Sequence, residues 1–140
     1  MKKLFLLVSI LLLSVSCSYD TIYEGARVNT QYVTIRPSDW EANFTSQSRS
    51  EGFASATFRV PIITDDVIAR GAIVCYLVGN NHDDPLPFSV TQREGNAIFT
   101  NTLSFDVASG SVRFINENSN LLLTIPSWSM DIKIVTIVNP

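Results

Sequence analysis

The chain has 140 residues, 46% of them hydrophobic and 16% charged, with 10 Lys+Arg against 13 Asp+Glu and a formal net charge of −3. No basic cluster accompanies this mild acidity, which argues against nucleic-acid binding and against an electrostatic hold on anionic lipid. The single histidine excludes a multi-histidine zinc site.

Lys2 and Lys3 precede an apolar run from Leu4 to Leu13 broken only by Ser9, and small residues follow at Ser14 and Ser16. That order of charge, apolar core and small-residue cleavage site is a secretory signal peptide, expected over residues 1–16. The apolar core falls short of the ~20 residues that a membrane-spanning helix needs. Ser14-Val15-Ser16-Cys17 resembles a bacterial lipobox, with the departure that Ser14 stands where Leu, Val or Ile is usual. The resemblance implies lipidation of Cys17; ordinary secretory cleavage after Ser16 is the alternative. Ser18 follows the cysteine, where the familiar sorting rule places an Asp for inner-membrane retention. The outer membrane is therefore the implied address, with the periplasmic face or the cell surface left open.

Cleavage removes both lysines and no acids, taking the net charge from −3 to −5 and leaving 124 residues, which suits one domain. Residues 17–29 read as a lipid-anchored tether and residues 30–140 as the domain. Within the tether, Asp20-Thr21-Ile22 matches an Asp-Thr/Ser-apolar pattern that carries O-glycans in Bacteroidota envelope proteins, which makes Thr21 a candidate acceptor. Asn43-Phe44-Thr45 fits the N-glycosylation pattern, a coincidence in a bacterial chain.

From there the reading is of strands. Gln31–Arg36 is rich in β-formers and ends at Pro37. Residues 40–52 are polar and serine-rich and read as a loop. In Phe53–Val60, alternation sets Ala54, Ala56, Phe58 and Val60 on one face. Thr64 can cap a helical turn over 65–70, with Asp65 and Asp66 at its positive end, Arg70 at the other and Gly71 stopping it. Ala72–Val78 is apolar on both faces, as in a central strand. After Gly95, residues Ala97, Phe99, Leu103 and Phe105 share a face that Asn101 interrupts. Ala108-Ser109-Gly110-Ser111 reads as a hairpin turn into Val112–Ile115. Residues 116–120 read as a further turn, and Leu121–Ile125 and Met130–Val138 as strands. The expected fold is all-β, an antiparallel β-sandwich of six to eight strands with one helical turn, barrel closure being the alternative.

The stretch Val60-Pro61-Ile62-Ile63-Thr64-Asp65-Asp66-Val67-Ile68-Ala69-Arg70-Gly71-Ala72-Ile73-Val74-Cys75-Tyr76-Leu77 resembles a group of small exported Bacteroidota proteins, mostly uncharacterised lipoproteins, with a Leu-Pro-aromatic following at Leu86-Pro87-Phe88. Over residues 30–138 the resemblance implies the same envelope address and β fold, and no activity.

Several residues are candidates for chemistry. Asn80, Asp83 and Asp84, in the run Asn80–Asp84, offer oxygen ligands to a calcium-like ion, although Asn and Asp also favour plain turns. Asp65 and Asp66 read better as helix-terminal charges than as an acid/base pair, because adjacent helical residues diverge. Asp39 and Glu41 flank Trp40, but sequence spacing alone does not set the carboxylate separation a glycosidase needs. Cys75 reads as a small buried hydrophobe. Trp40 and Trp128 lie among polar residues near strand ends, as core-capping residues or as stacking platforms for a ligand. No nucleophile elbow, metalloprotease motif or phosphate loop occurs, so no enzyme and no cofactor is expected. The expectation is a non-catalytic structural or interaction module of the envelope, held to the membrane through Cys17 and meeting an envelope protein or a glycan. A glycan- or peptide-binding module is the alternative, and an exposed tryptophan beside a groove distinguishes it.

Overall fold

The architecture is that of a computed structural model and is described for residues 25–45 and 50–139. The signal peptide, Cys17, most of the tether and Thr21 lie outside the described residues.

The organising strand is β9 (Met130–Val138). Met130, Ile132, Ile134 and Thr136 are buried, while the residues between them face outward. This period of two puts one face of the strand into a core. On one side β9 pairs antiparallel with β1 (Arg27–Ile35), from Arg27 opposite Val138 to Ile35 opposite Met130. On its other side lies β4 (Gly71–Val78), with Gly71 opposite Val138 and Leu77 opposite Ile132. A three-residue strand, β5 (Asp83–Pro85), completes a four-stranded sheet in the order β1-β9-β4-β5.

The second sheet holds β2 (Glu41–Phe44), β3 (Gly52–Arg59), β6 (Phe88–Glu94), β7 (Ala97–Ala108) and β8 (Ser111–Asn118), in the order β2-β3-β8-β7-β6. Every pairing in both sheets is antiparallel. Ala54, Ala56, Val112, Phe114 and Leu103 face Ile35, Cys75, Ile132 and Ile134 across the interlayer. The fold is thus an antiparallel β-sandwich, and the two separate sheets rule out barrel closure. Small alanines on β3 leave room for Phe114, which packs tilted against Phe58 with ring centroids 6.2 Å apart.

One end of the sandwich is sealed. The turn after β3 buries Val60 and Ile63, and α1 (Asp65–Arg70) adds Val67. Thr64 Oγ1 accepts from Val67 N–H at 3.2 Å, and the Gly71 N–H donates to Val67 O, capping the helix at both ends as expected from its sequence. The β7–β8 hairpin, turning at Ser109-Gly110 with Gly110 at φ 75°, is stapled to this end: Gly110 N–H donates to Ile63 O at 2.6 Å, and Val60 N–H donates to Gly110 O at 2.7 Å. Gly71 closes on β9 so tightly that a Cβ there would lie 2.3 Å from Ile137 O.

Four expectations need correction. The sheet begins at Arg27, so residues 27–29 belong to β1 and not to a tether. The polar stretch 40–52 contains β2, paired with β3. It also follows a 3-10 turn, Pro37–Asp39, in which Asp39 Oδ2 accepts from Arg36 N–H at 2.7 Å. Strand β8 continues to Asn118, because Asn116 and Asn118 keep the alternation of Val112 and Phe114 and are buried with them. Finally, residues 121–125 form no strand of their own. They run as an irregular segment that starts with Leu121 at φ 63°, is tied to β8 side chains, and meets the start of β3 through a single bridge between Glu51 and Leu122.

Candidate functional site

The end of the sandwich opposite α1 is built from amides. Asn101, Asn116 and Asn118 occupy the inner face of β7 and β8, where apolar residues stand at the sealed end. Asn101 Nδ2 donates to Asn118 Oδ1 at 2.8 Å. Asn118 Nδ2 in turn reaches Leu122 O and Thr124 Oγ1, both at 2.8 Å, and Asn116 Nδ2 reaches Thr124 O at 3.1 Å. A buried amide costs free energy unless it is bonded, and the 121–125 segment supplies the acceptors. These bonds fix the course of the chain toward Pro126, which is buried, and Trp128, which is not.

Beside Trp128 the two sheets part and leave a cleft of about 190 Å³. Its floor is Leu103, Met130 and Asn116, all buried, and Leu77 and Phe88 form its half-buried walls. Val90, Gln92 and Trp128 stand at the rim, with Val90 41% and Trp128 59% exposed. Topology explains the opening. β5 spans only three residues, whereas β6 in the facing sheet spans seven. The inner side chains of β6 therefore have no full strand opposite them.

The two tryptophans part company. Trp40 is a core residue, 6% exposed, with an indole N–H that has no partner among the described residues. Trp128 lines the cleft. The sequence treated them alike because both sit among polar neighbours; what separates them is that Trp40 follows a buried strand end, Ile35, whereas Trp128 ends an irregular segment.

Other sequence candidates are placed apart. Asn80 lies in the exposed loop that joins β4 to β5, where Gly79 N–H donates to His82 O at 3.0 Å. Asp83 is ion-paired with Lys133, which lies 4.8 Å above the Tyr76 ring, and the Asp83 carboxylate holds that ammonium above its ordinary range. Asp84 lies 3.5 Å from His82 Nε2. Among the described residues no three His, Cys, Asp or Glu side chains are grouped to hold a metal ion. Asp66 is bridged by Arg70 at 2.7 and 2.8 Å, and that hydrogen bond lowers its carboxyl below the usual range. Asp39 caps the 3-10 turn while Glu41 starts β2, so each has its own structural setting. Cys75 is fully buried on β4, and burial pushes its thiol up to about 12, the opposite of an activated nucleophile.

Comparison with family models, with curated proteins and with solved structures finds no match for this chain.

Proposed function

We propose that the protein is an envelope lipoprotein that acts as a non-catalytic binding module, attached to the outer membrane through Cys17 and recognising its partner at the Trp128 cleft. One observation carries the reading: Trp128 is 59% exposed at the rim of a cleft floored by Leu103, Met130 and Asn116. What sets Trp128 apart from the other exposed apolar side chains of the domain is its place beside a cleft, and an exposed aromatic at a cleft is a common anchor for a partner. The signal peptide, the lipobox and the resemblance to exported Bacteroidota proteins support the address.

The geometry of the domain is consistent with an anchor. The chain enters at Arg27, paired with Val138, whereas the cleft lies at the Met130 end of the same strand pair. Eight residue steps at ~3.3 Å each separate these ends by about 26 Å. A domain held by its N-terminus presents the cleft away from the bilayer.

The reading is tested in cells with a photo-crosslinking residue in place of Trp128 and, in a second strain, in place of Val28 at the anchor end. A discrete adduct from position 128 alone, with added acyl mass on the membrane-fraction protein, is expected. Adducts from neither position, or an intact mass without acyl groups, contradict it.

A further inference from the structure

We propose that the cleft takes an extended polypeptide segment of a partner, which adds as a strand to the free edge of β6 and sends alternate apolar side chains past Trp128. The inference rests on the binding reading above and names its ligand class. Among the described residues β6 is hydrogen-bonded to β7 alone, so one row of its backbone N–H and C=O groups is open along Phe88–Glu94. Proteins usually guard such an edge with proline, lysine, a bulge or a very short strand. β5 is guarded in this way, being three residues long and ending in Pro85. Pro87 precedes β6 and its charges, Arg93 and Glu94, stand at its far end, which leaves Phe88–Gln92 without proline or charge.

The open edge and the cleft are continuous. Phe88, Val90 and Gln92 line the cleft from β6, and Ser89 and Thr91 face the other way, where Ser89 Oγ lies 3.0 Å from Thr102 Oγ1. A strand laid along β6 therefore alternates its own side chains between the apolar interlayer and a hydroxyl-rich outer surface. At the same end of the sandwich the other long edge, β1, is closed, because Ile35 and Trp40 are buried in the core there. The cleft chemistry favours a peptide over a sugar. Leu77, Leu103 and Met130 offer no hydrogen bonds, and the Nδ2 groups of Asn101 and Asn116 already serve Asn118 and Thr124. The chain's own N-terminal segment enters at the far end of β1 and in the anchored reading leads to the membrane.

The test pans a random dodecapeptide phage library against the full mature chain. Enriched peptides are resynthesised unmodified, N-methylated at every even residue, and N-methylated at every odd residue. Strand addition predicts an alternating apolar consensus and slowed amide exchange in β6. It also predicts a loss of about tenfold or more for one methylated form, with the other within about threefold of the unmodified peptide. Enriched peptides without alternation, or equal losses for both methylated forms, overturn it. If cellohexaose shifts Trp128 emission and no peptide protects β6, the strand inference falls and the binding reading stands. If neither peptide nor sugar perturbs Trp128, both fall.

Discussion

Arg27 and Trp128 mark opposite ends of the domain: Arg27 pairs with the last residue of β9, and Trp128 stands two residues before its first. The same polarity runs through the core. Val60, Ile63 and Val67 seal the Arg27 end, and asparagines line the Trp128 end. On the proposed reading, stability and recognition are divided between the poles, which makes their mutational signatures separable.

The tryptophans give the clearest contrast. Trp40→Ala removes a core side chain and is expected to cost about 3–5 kcal/mol. Trp128→Ala should change stability by no more than ~0.5 kcal/mol, since the indole is mostly in water, while abolishing ligand-dependent fluorescence. Urea unfolding of both variants checks the pair. A large loss for Trp128→Ala would show that its role is structural.

The buried amides carry a second prediction. Asn118→Leu leaves Leu122 O and Thr124 Oγ1 without their shared donor. Leu122 and Thr124 are themselves exposed, so water takes over part of the loss; each lost hydrogen bond costs about 0.5–1.5 kcal/mol, and the 121–125 segment should loosen with them. Amide exchange across residues 121–125 should accelerate more than exchange in β9. Uniform acceleration would mean that the segment is not held by Asn118.

Much of this fold was legible before any coordinates. Alternation marked β3 and β7, and Thr64 with Gly71 bracketed α1, because each signal is local. The asparagines misled. Asn116 and Asn118 favour turns in isolation, yet the period set by Val112 and Phe114 continues through them. Their burial depends on acceptors from Leu122 and Thr124, which sequence distance alone does not reveal. The cleft was hidden for a related reason. It arises from the mismatch between a three-residue β5 and a seven-residue β6, which follows from how the two sheets face each other.

Gly52 supports a third prediction. A Cβ on this residue would lie 2.0 Å from Asn43 O, a backbone atom of the neighbouring strand. Gly52→Ala should destabilise the domain by ~3 kcal/mol, with the β2–β3 ladder opening first. A near-native midpoint in thermal unfolding would contradict that packing.

Cys75 supplies a pH dependence. Its thiol is raised from 9.0 to about 12 by burial, so the folded state holds the proton more tightly than the unfolded chain does. The contribution of Cys75 is fully present below pH 9.0 and is lost as pH rises from there toward about 12. Alkaline unfolding of the native chain should be steeper than that of Cys75→Ala across that window. Iodoacetamide should leave Cys75 unmodified at pH 8 until denaturant is added; modification of the folded chain would place the thiol in solvent.

The proposed anchoring, with the cleft facing away from the bilayer, is open to one direct measurement. A donor fluorophore is placed through Ser127→Cys in one lipidated protein and through Asn29→Cys in another, each reconstituted in vesicles with a lipid-borne acceptor. Cys75 stays unlabelled because it is buried. The proposed anchor predicts weaker energy transfer from position 127: Asn29 pairs with Thr136, and the six residue steps from Thr136 to Met130 at ~3.3 Å each put that end about 20 Å farther from the bilayer. Equal or stronger transfer from position 127 would contradict a cleft that faces away from the membrane.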